Sequence, residues 1–203
     1  MPLGEVLHPG ALVALVVLLL NDWWAKAACP GWVTGKLSDV AGLVLAPVAM
    51  TAAVGVGLSL LAAWGLARDP SLRRRRVAAA VVLVAVGFVA TKVWPPAAST
   101  VAAALGLLGG RPRIVCDPTD LLALPAVLVA WRIGQAELAL VPRGYAHAAL
   151  RARSRGEAPS ARARLVEVRR AGASAAAVDQ LALALASGSA TEVNAALRTL
   201  AGR

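Results

Sequence analysis

Four stretches of the chain are long and apolar enough to cross a bilayer, which takes about 20 mostly apolar residues. The first runs from about Val6 to Trp24 and the second from about Val40 to Ala67, with no charged residue inside it. The third runs from Val77 to about Trp94, where Pro95 and Pro96 stop it, and the fourth starts near Thr119 and reaches Gly134 or beyond. Between the third and fourth, Ala97–Gly110 is apolar but only 14 residues long. It is too short to cross alone and reads as an interfacial or re-entrant helix. The pattern changes after Val141. Arg143–Arg155 is a basic stretch, Glu157-Ala158-Pro159 breaks it, and three short helical patterns follow. Ser160 can cap the first, which runs to Arg170 and Gly172; Ser174 can cap the second, Ala175–Ala186, ended by Gly188. Ser189 with Glu192 forms a capping box for the last, which ends at Gly202. Val178, Leu181 and Leu185 share one face, as do Val193, Leu197 and Leu200. The expected fold is all-α: a polytopic transmembrane bundle of four spans with a short interfacial or re-entrant helix (residues 1–141), then a basic juxtamembrane segment and a small cytoplasmic helical tail (residues 142–203).

Composition supports the membrane reading. Apolar residues make up 59% of the 203 and charged residues 16%, yet the formal net charge is +10. Soluble domains average about 45–50% apolar and about 25% charged, so a soluble enzyme and a disordered chain are both poor fits. The first apolar run has no Lys or Arg before it and is followed directly by Asn21, Asp22, Trp23 and Trp24. It is therefore expected to remain as a span rather than to be cleaved as a signal peptide.

The arginines supply an orientation. Arg68, Arg73, Arg74, Arg75 and Arg76 fill the connection between the second and third spans, and ten more follow Val141. Cytoplasmic loops carry the Lys/Arg excess, so four spans with both termini cytoplasmic satisfy both segments. Arg73–Arg76 would also meet anionic lipid headgroups. Ala25–Asp39 and Pro95–Pro118 then lie outside, and Trp23, Trp24, Trp32 and Trp94 form an aromatic belt at that boundary. The expected location is a bacterial inner membrane. Nucleic-acid binding is not expected, since no base-reading motif or aromatic platform accompanies the basic segments.

On this topology the candidate chemistry gathers at the outer side. Asn21, Asp22 and Lys26 end the first span; Thr34, Lys36 and Asp39 precede the second; Lys92 ends the third; Asp117 and Asp120 open the fourth. All three lysines of the chain are in this set. A compact ammonium is not interchangeable with guanidinium, and ionisable groups at membrane depth usually face a bundle interior or wet cavity. The cluster is thus a candidate ion or ligand site. A plainer reading stands beside it. Asp117, Pro118 and Asp120 are what a helix N-terminus prefers, and Thr34 or Ser38 could cap the second span with Asp39 as dipole partner. Asp22 sits at a helix end that disfavours an anion and needs a partner, either Lys26 at i+4 or a lysine from another helix.

No metal is expected, since the lysines oppose a cation and no histidine joins the cluster to suit zinc. No cofactor is expected either. His8 and His147 have no partner by spacing, and Arg132 and Glu137 are expected to snorkel. Cys29 and Cys116 both fall outside and are a candidate disulfide, with two free thiols as the alternative.

The string Asn21-Asp22…Lys26…Pro30-Gly31…Thr34-Gly35-Lys36-Leu37-Ser38-Asp39…Ala41-Gly42-Leu43, with Asp117-Pro118-Thr119-Asp120-Leu121, resembles a group of small polytopic bacterial membrane proteins of unassigned function. The resemblance covers about the first 135 residues and implies membrane residence, but no catalytic roles. Three functions fit these features. One is an outward-facing polar pocket that binds or conducts a small ion or solute, as a homodimer because four spans are few for a transporter. Another is a non-catalytic scaffold whose polar groups hold the fold. The third is an outer-leaflet enzyme with an Asp as base or nucleophile and Lys holding an anionic headgroup.

Overall fold

The computed structural model describes residues 4–66, 71–107, 109, 114–187 and 189–201, and every regular element among them is helical. Helix α1 spans Pro9–Leu20. His8 starts it by accepting the Gly10 amide at 3.1 Å, so this histidine has a capping role that its spacing did not reveal. α1 widens into a π-turn at Asn21–Ala25 and finishes at Ala28. Helix α2 spans Trp32–Ala63, α3 Arg74–Val93 and α4 Pro95–Gly106. A 3₁₀ segment, Pro118–Ala126, leads into α5, Val127–Ser154. Helices α6 (Ala158–Arg170), α7 (Ala175–Ser187) and α8 (Ala190–Ala201) complete the chain.

Among the described residues, four helical runs are long and apolar enough to cross a membrane: Pro9–Ala28, Trp32–Ala63, Arg74–Val93 and Pro118–Ser154. They overlap the four expected spans, with several boundaries shifted. The second begins at Trp32 rather than Val40, so Thr34, Lys36, Ser38 and Asp39 lie on a helix rather than in the loop before it. Helix formation there begins at Gly31, whose amide donates to the Thr34 hydroxyl at 3.2 Å. The fourth run opens as 3₁₀. Pro125 has no amide to give the Leu121 carbonyl and disfavours α geometry at Leu124, so the tighter winding persists for two turns beyond what such segments usually hold. The short α4 covers 12 residues near the expected interfacial segment and is too short to cross alone. Ala67, Arg68, Gly110, Gly188 and Gly202, named above, lie outside the described residues.

The chain divides into two compact units, Pro2–Gln135 and Ala136–Arg203. In the first, successive long helices run antiparallel. The end of α1 meets the start of α2, where Asn21 bonds Thr34. The end of α3 meets that same end of α2, where Lys92 pairs with Asp39. The 3₁₀ segment joins them there through Asp120. At the other end, Ile133 of α5 comes close to Gly10 of α1, and Gly134 lies so near Val77 of α3 that a Cβ would overlap its side chain. The core between is small-residue rich: Ala11, Ala14, Leu43, Val44, Val48, Ala123, Ala126, Val127, Ala130 and Ile133. Small side chains let helix backbones approach closely. The outer faces keep large apolar side chains exposed, among them Val13, Val16, Leu83, Val86 and Leu128.

The second unit packs Ala146 and Ala149 of α5 with Val168, Val178, Leu181, Leu185, Ala196 and Leu200. Ser174 caps α7 through the Ala177 amide and Ser189 caps α8 through the Glu192 amide. Helix α6 begins at Ala158, two residues before the expected cap Ser160, because Pro159 suits the first turn of a helix and its fixed φ continues rather than breaks the winding.

Candidate functional site

Asp120 is the centre of the polar end. It is the fourth residue of the segment that Asp117 begins, and it is only 9% exposed. Both Lys36 from α2 and Lys92 from α3 reach its carboxylate, Lys36 at Oδ1 and Lys92 at Oδ2 at 2.5 Å. Lys92 also meets Asp39 Oδ2 at 3.3 Å, and Lys36 donates to the Thr119 hydroxyl at 2.7 Å with Asp117 Oδ2 at 3.6 Å. Three segments far apart in sequence are thereby tied at one carboxylate. An ammonium suits this place because its three donors diverge from a point, whereas guanidinium presents a planar fork. Each ammonium lies over an aromatic ring: Lys36 Nζ is 5.5 Å from the Trp32 ring centre and Lys92 Nζ 5.3 Å from that of Phe88. Such contacts stabilise a cation that has lost part of its water.

Asp117 serves differently. It accepts the Thr119 amide at 2.9 Å and the Thr119 hydroxyl at 2.7 Å, so it is the cap that the plain reading expects. These hydrogen bonds, with weaker attraction from Lys36, hold its pKa below the ordinary carboxylate range. Capping and ion pairing therefore coexist in Asp117-Pro118-Thr119-Asp120: the first acid begins the turn and the second, three residues on, faces the lysines.

A second network lies where α1 meets α2. The Asn21 amide nitrogen donates to the Thr34 carbonyl and to the Ser38 hydroxyl, both at 2.7 Å. Ser38 donates in turn to Asp22 Oδ1 at 2.6 Å, and Lys26 pairs with that same oxygen at 2.7 Å. Lys26 is thus the i+4 partner that Asp22 needs. Both are more than two-fifths exposed, and Lys26 stays with Asp22 rather than joining the shared carboxylate. Helix α2 carries both networks because Thr34 and Ser38 lie four apart on one face, while Lys36 and Asp39 lie three apart on another.

All nine candidate residues (Asn21, Asp22, Lys26, Thr34, Lys36, Asp39, Lys92, Asp117 and Asp120) thus enter two hydrogen-bonded networks at one end of the bundle. The candidate disulfide is not formed. Cys29 and Cys116 are free thiols; Cys29 is exposed, and Cys116 Sγ lies 3.4 Å from the Thr91 carbonyl as donor. Among the described residues no group of three or more His, Cys, Asp or Glu is placed to hold a metal ion.

Two features have no counterpart in the sequence reading. The π-turn at Asn21–Ala25 turns Asn21 inward, and such turns are frequent at functional sites. Towards the opposite end, Glu5 is buried against the Thr51 hydroxyl. Thr51 sits one turn after Pro47, whose missing amide leaves the Leu43 carbonyl without its usual donor. A polar residue in the middle of an otherwise apolar span was the available signal for this pair. No protein-family model matches the chain, and no curated protein or solved structure matches it either.

Proposed function

We propose that the chain is a multi-pass protein of a bacterial inner membrane, of the small polytopic group it resembles, and that its outward end binds or conducts a small ion or solute. Both termini are cytoplasmic in this reading, Arg73–Arg76 meet anionic headgroups, and the working form is a homodimer. The observation that carries it is the sharing of Asp120 by Lys36 and Lys92. Two ammoniums and a carboxylate, each little exposed, are costly to remove from water. Their pairing can be exchanged: an entering anion competes for the lysines, and an entering cation or proton competes for the carboxylate. Exposed Trp23, Trp24, Trp32 and Trp94 flank this end, as an interfacial belt would.

A second reading has its own observation. The three lysines at this end are paired with aspartates, and Asp117 is a cap, which is what a fold-holding clamp needs. Breaking a buried pair from one side costs about 3–5 kcal/mol. Liposomes carrying the full chain separate the two. Binding or flux of a small ion by the wild type, lost in Asp120→Asn at unchanged membrane abundance, supports the site. Wild-type liposomes without any ion-dependent signal, or an Asp120→Asn chain that disappears from the membrane, favour the clamp.

A further inference from the structure

Two acids are buried at opposite ends of the bundle: Asp120 is 9% exposed and Glu5 5%. Helix α2 reaches both. At one end its Asp39 shares the Lys92 ammonium with Asp120, at 3.3 Å and 2.5 Å. At the other end the Thr51 hydroxyl bonds Glu5 Oε2 and lies 3.1 Å from the Pro47 carbonyl and 2.9 Å from that of Val48. Asp39 and Thr51 are about 18 Å apart along the helix. Asp39, Leu43, Pro47 and Thr51 recur at every fourth position, one ridge of α2, and the last three are buried. Pro47 leaves the Leu43 carbonyl without its usual donor, so a backbone acceptor lies on this ridge between the two ends. Ionisable groups at membrane depth mark ion pathways and proton relays. The surroundings choose between those. A metal cation needs several oxygen ligands, whereas a proton needs one lone pair. Around Glu5 stand Val48, Val77, Val81 and Ala130, which offer no side-chain oxygen. Thr51 both accepts and donates, so its hydroxyl can pass a proton on without moving away.

From this juxtaposition we infer that the conducted ion is a proton, taken up at the Asp39–Asp120 pair and released at Glu5, with Thr51 as the relay. The inference rests on the proposed ion-conducting role and names its ion. Asp39 is the entry, because its side chain is 21% exposed against 12% for Asp120 and, among the described residues, it meets one ammonium where Asp120 meets two. It takes a proton from the outer solution, and Lys92 turns wholly to Asp120. The proton leaves Asp39 along the ridge through transient water held at the Leu43 carbonyl. Thr51 Oγ1 accepts it and gives its own hydrogen to the Glu5 carboxylate. Glu5 then loses that proton on the far side, so each group ends as it began and one proton has crossed. Among the described residues, the charged groups facing the entry are Lys36 from α2, Lys92 from α3 and Asp117 from the 3₁₀ segment, with Asp22 and Lys26 of the α1 run held by one another and the Cys116 thiol bonded to the Thr91 carbonyl. The ionisable groups on the segments around Glu5 are His8, Arg73, Arg74, Arg76 and Arg132.

The test uses the full chain in liposomes with a pH-sensitive dye inside, potassium with valinomycin to set the potential, and protein-free liposomes as the blank. The wild type should acidify the lumen faster than the blank. Asp39→Asn and Glu5→Gln, each close to isosteric, should lower that rate about tenfold or more at equal incorporation, and Asp39→Glu should recover part of it. Thr51→Val removes the hydroxyl at nearly constant shape and should lower the rate likewise; if Asp39→Asn or Glu5→Gln does not fold, Thr51→Val decides. A wild-type rate equal to the blank, or one unchanged by Asp39→Asn, Glu5→Gln or Thr51→Val, overturns the relay. Flux of another ion without protons overturns it too but keeps the proposed ion-conducting role, and the absence of flux or binding of any ion removes both.

Discussion

Asp117 and Asp120 are three residues apart and alike in chemistry, yet the fold separates their work. Asp117 is solvent-facing and bonded to Thr119, while Asp120 is turned inward between two lysines. The separation has a consequence for pH. The native pKa of Asp117 is depressed, so its contribution to stability is complete above the unfolded carboxylate value and is lost as pH falls through the native one. Asparagine keeps a capping oxygen but does not titrate. The stability difference between wild type and Asp117→Asn, followed by helical circular dichroism in detergent, should therefore be flat above about pH 4 and change below it. A difference that changes only between pH 6 and 8 would show that another group governs it. Their place on the expected topology marked these acids as candidates, and the Asp-Pro start already suited Asp117 to a cap. That Asp120 is the partner depended on where the lysines arrive, and those come from residues 84 and 28 positions away.

At the scale of elements, close approach governs the end opposite the lysines. Gly134 is required there because any side chain would run into Val77, itself buried. Gly134→Ala is expected to destabilise the bundle by about 1–3 kcal/mol, the usual cost of overpacking. Adding Val77→Ala should recover part of the loss, since it removes the obstructing methyls. Melting temperatures of the two variants in one detergent check this; a Gly134→Ala chain as stable as wild type would mean that α3 and α5 separate freely. The four membrane-length helices were legible because apolar runs of this length are unambiguous, and so were the capping serines at 174 and 189. The helical start at Trp32 was not. Gly31, Gly35, Thr34 and Ser38 suit a loop by local preference, and hydrogen bonds from Asn21 and the pairing of Lys36 and Asp39 across the bundle favour the helix.

For the whole molecule, the arginine surplus and the near-balanced polar end lie in different parts of the chain. The ionised side chains of the two polar networks are Asp22, Asp39, Asp117 and Asp120 with Lys26, Lys36 and Lys92. The proposed orientation predicts that a tag after Arg203 is shielded from protease in intact spheroplasts and digested after permeabilisation, while a cysteine-directed membrane-impermeant reagent reaches exposed Cys29 from outside. A tag digested without permeabilisation would reverse the orientation. Apolar run lengths determined the helical class and the number of membrane-length helices, because a bilayer-length segment needs no partner to be recognised. The same local signals placed nine candidate polar residues near one end, once the chain was folded back and forth. Tertiary structure alone decided the rest: that two lysines share Asp120, that Lys26 keeps to Asp22, that the two cysteines stay free, and that Asn21 is buried with one oxygen unanswered. The reason is physical. Helical period and composition are properties of neighbours along the chain, whereas a shared carboxylate or an orphaned acceptor depends on the distance between helices and on which face each presents.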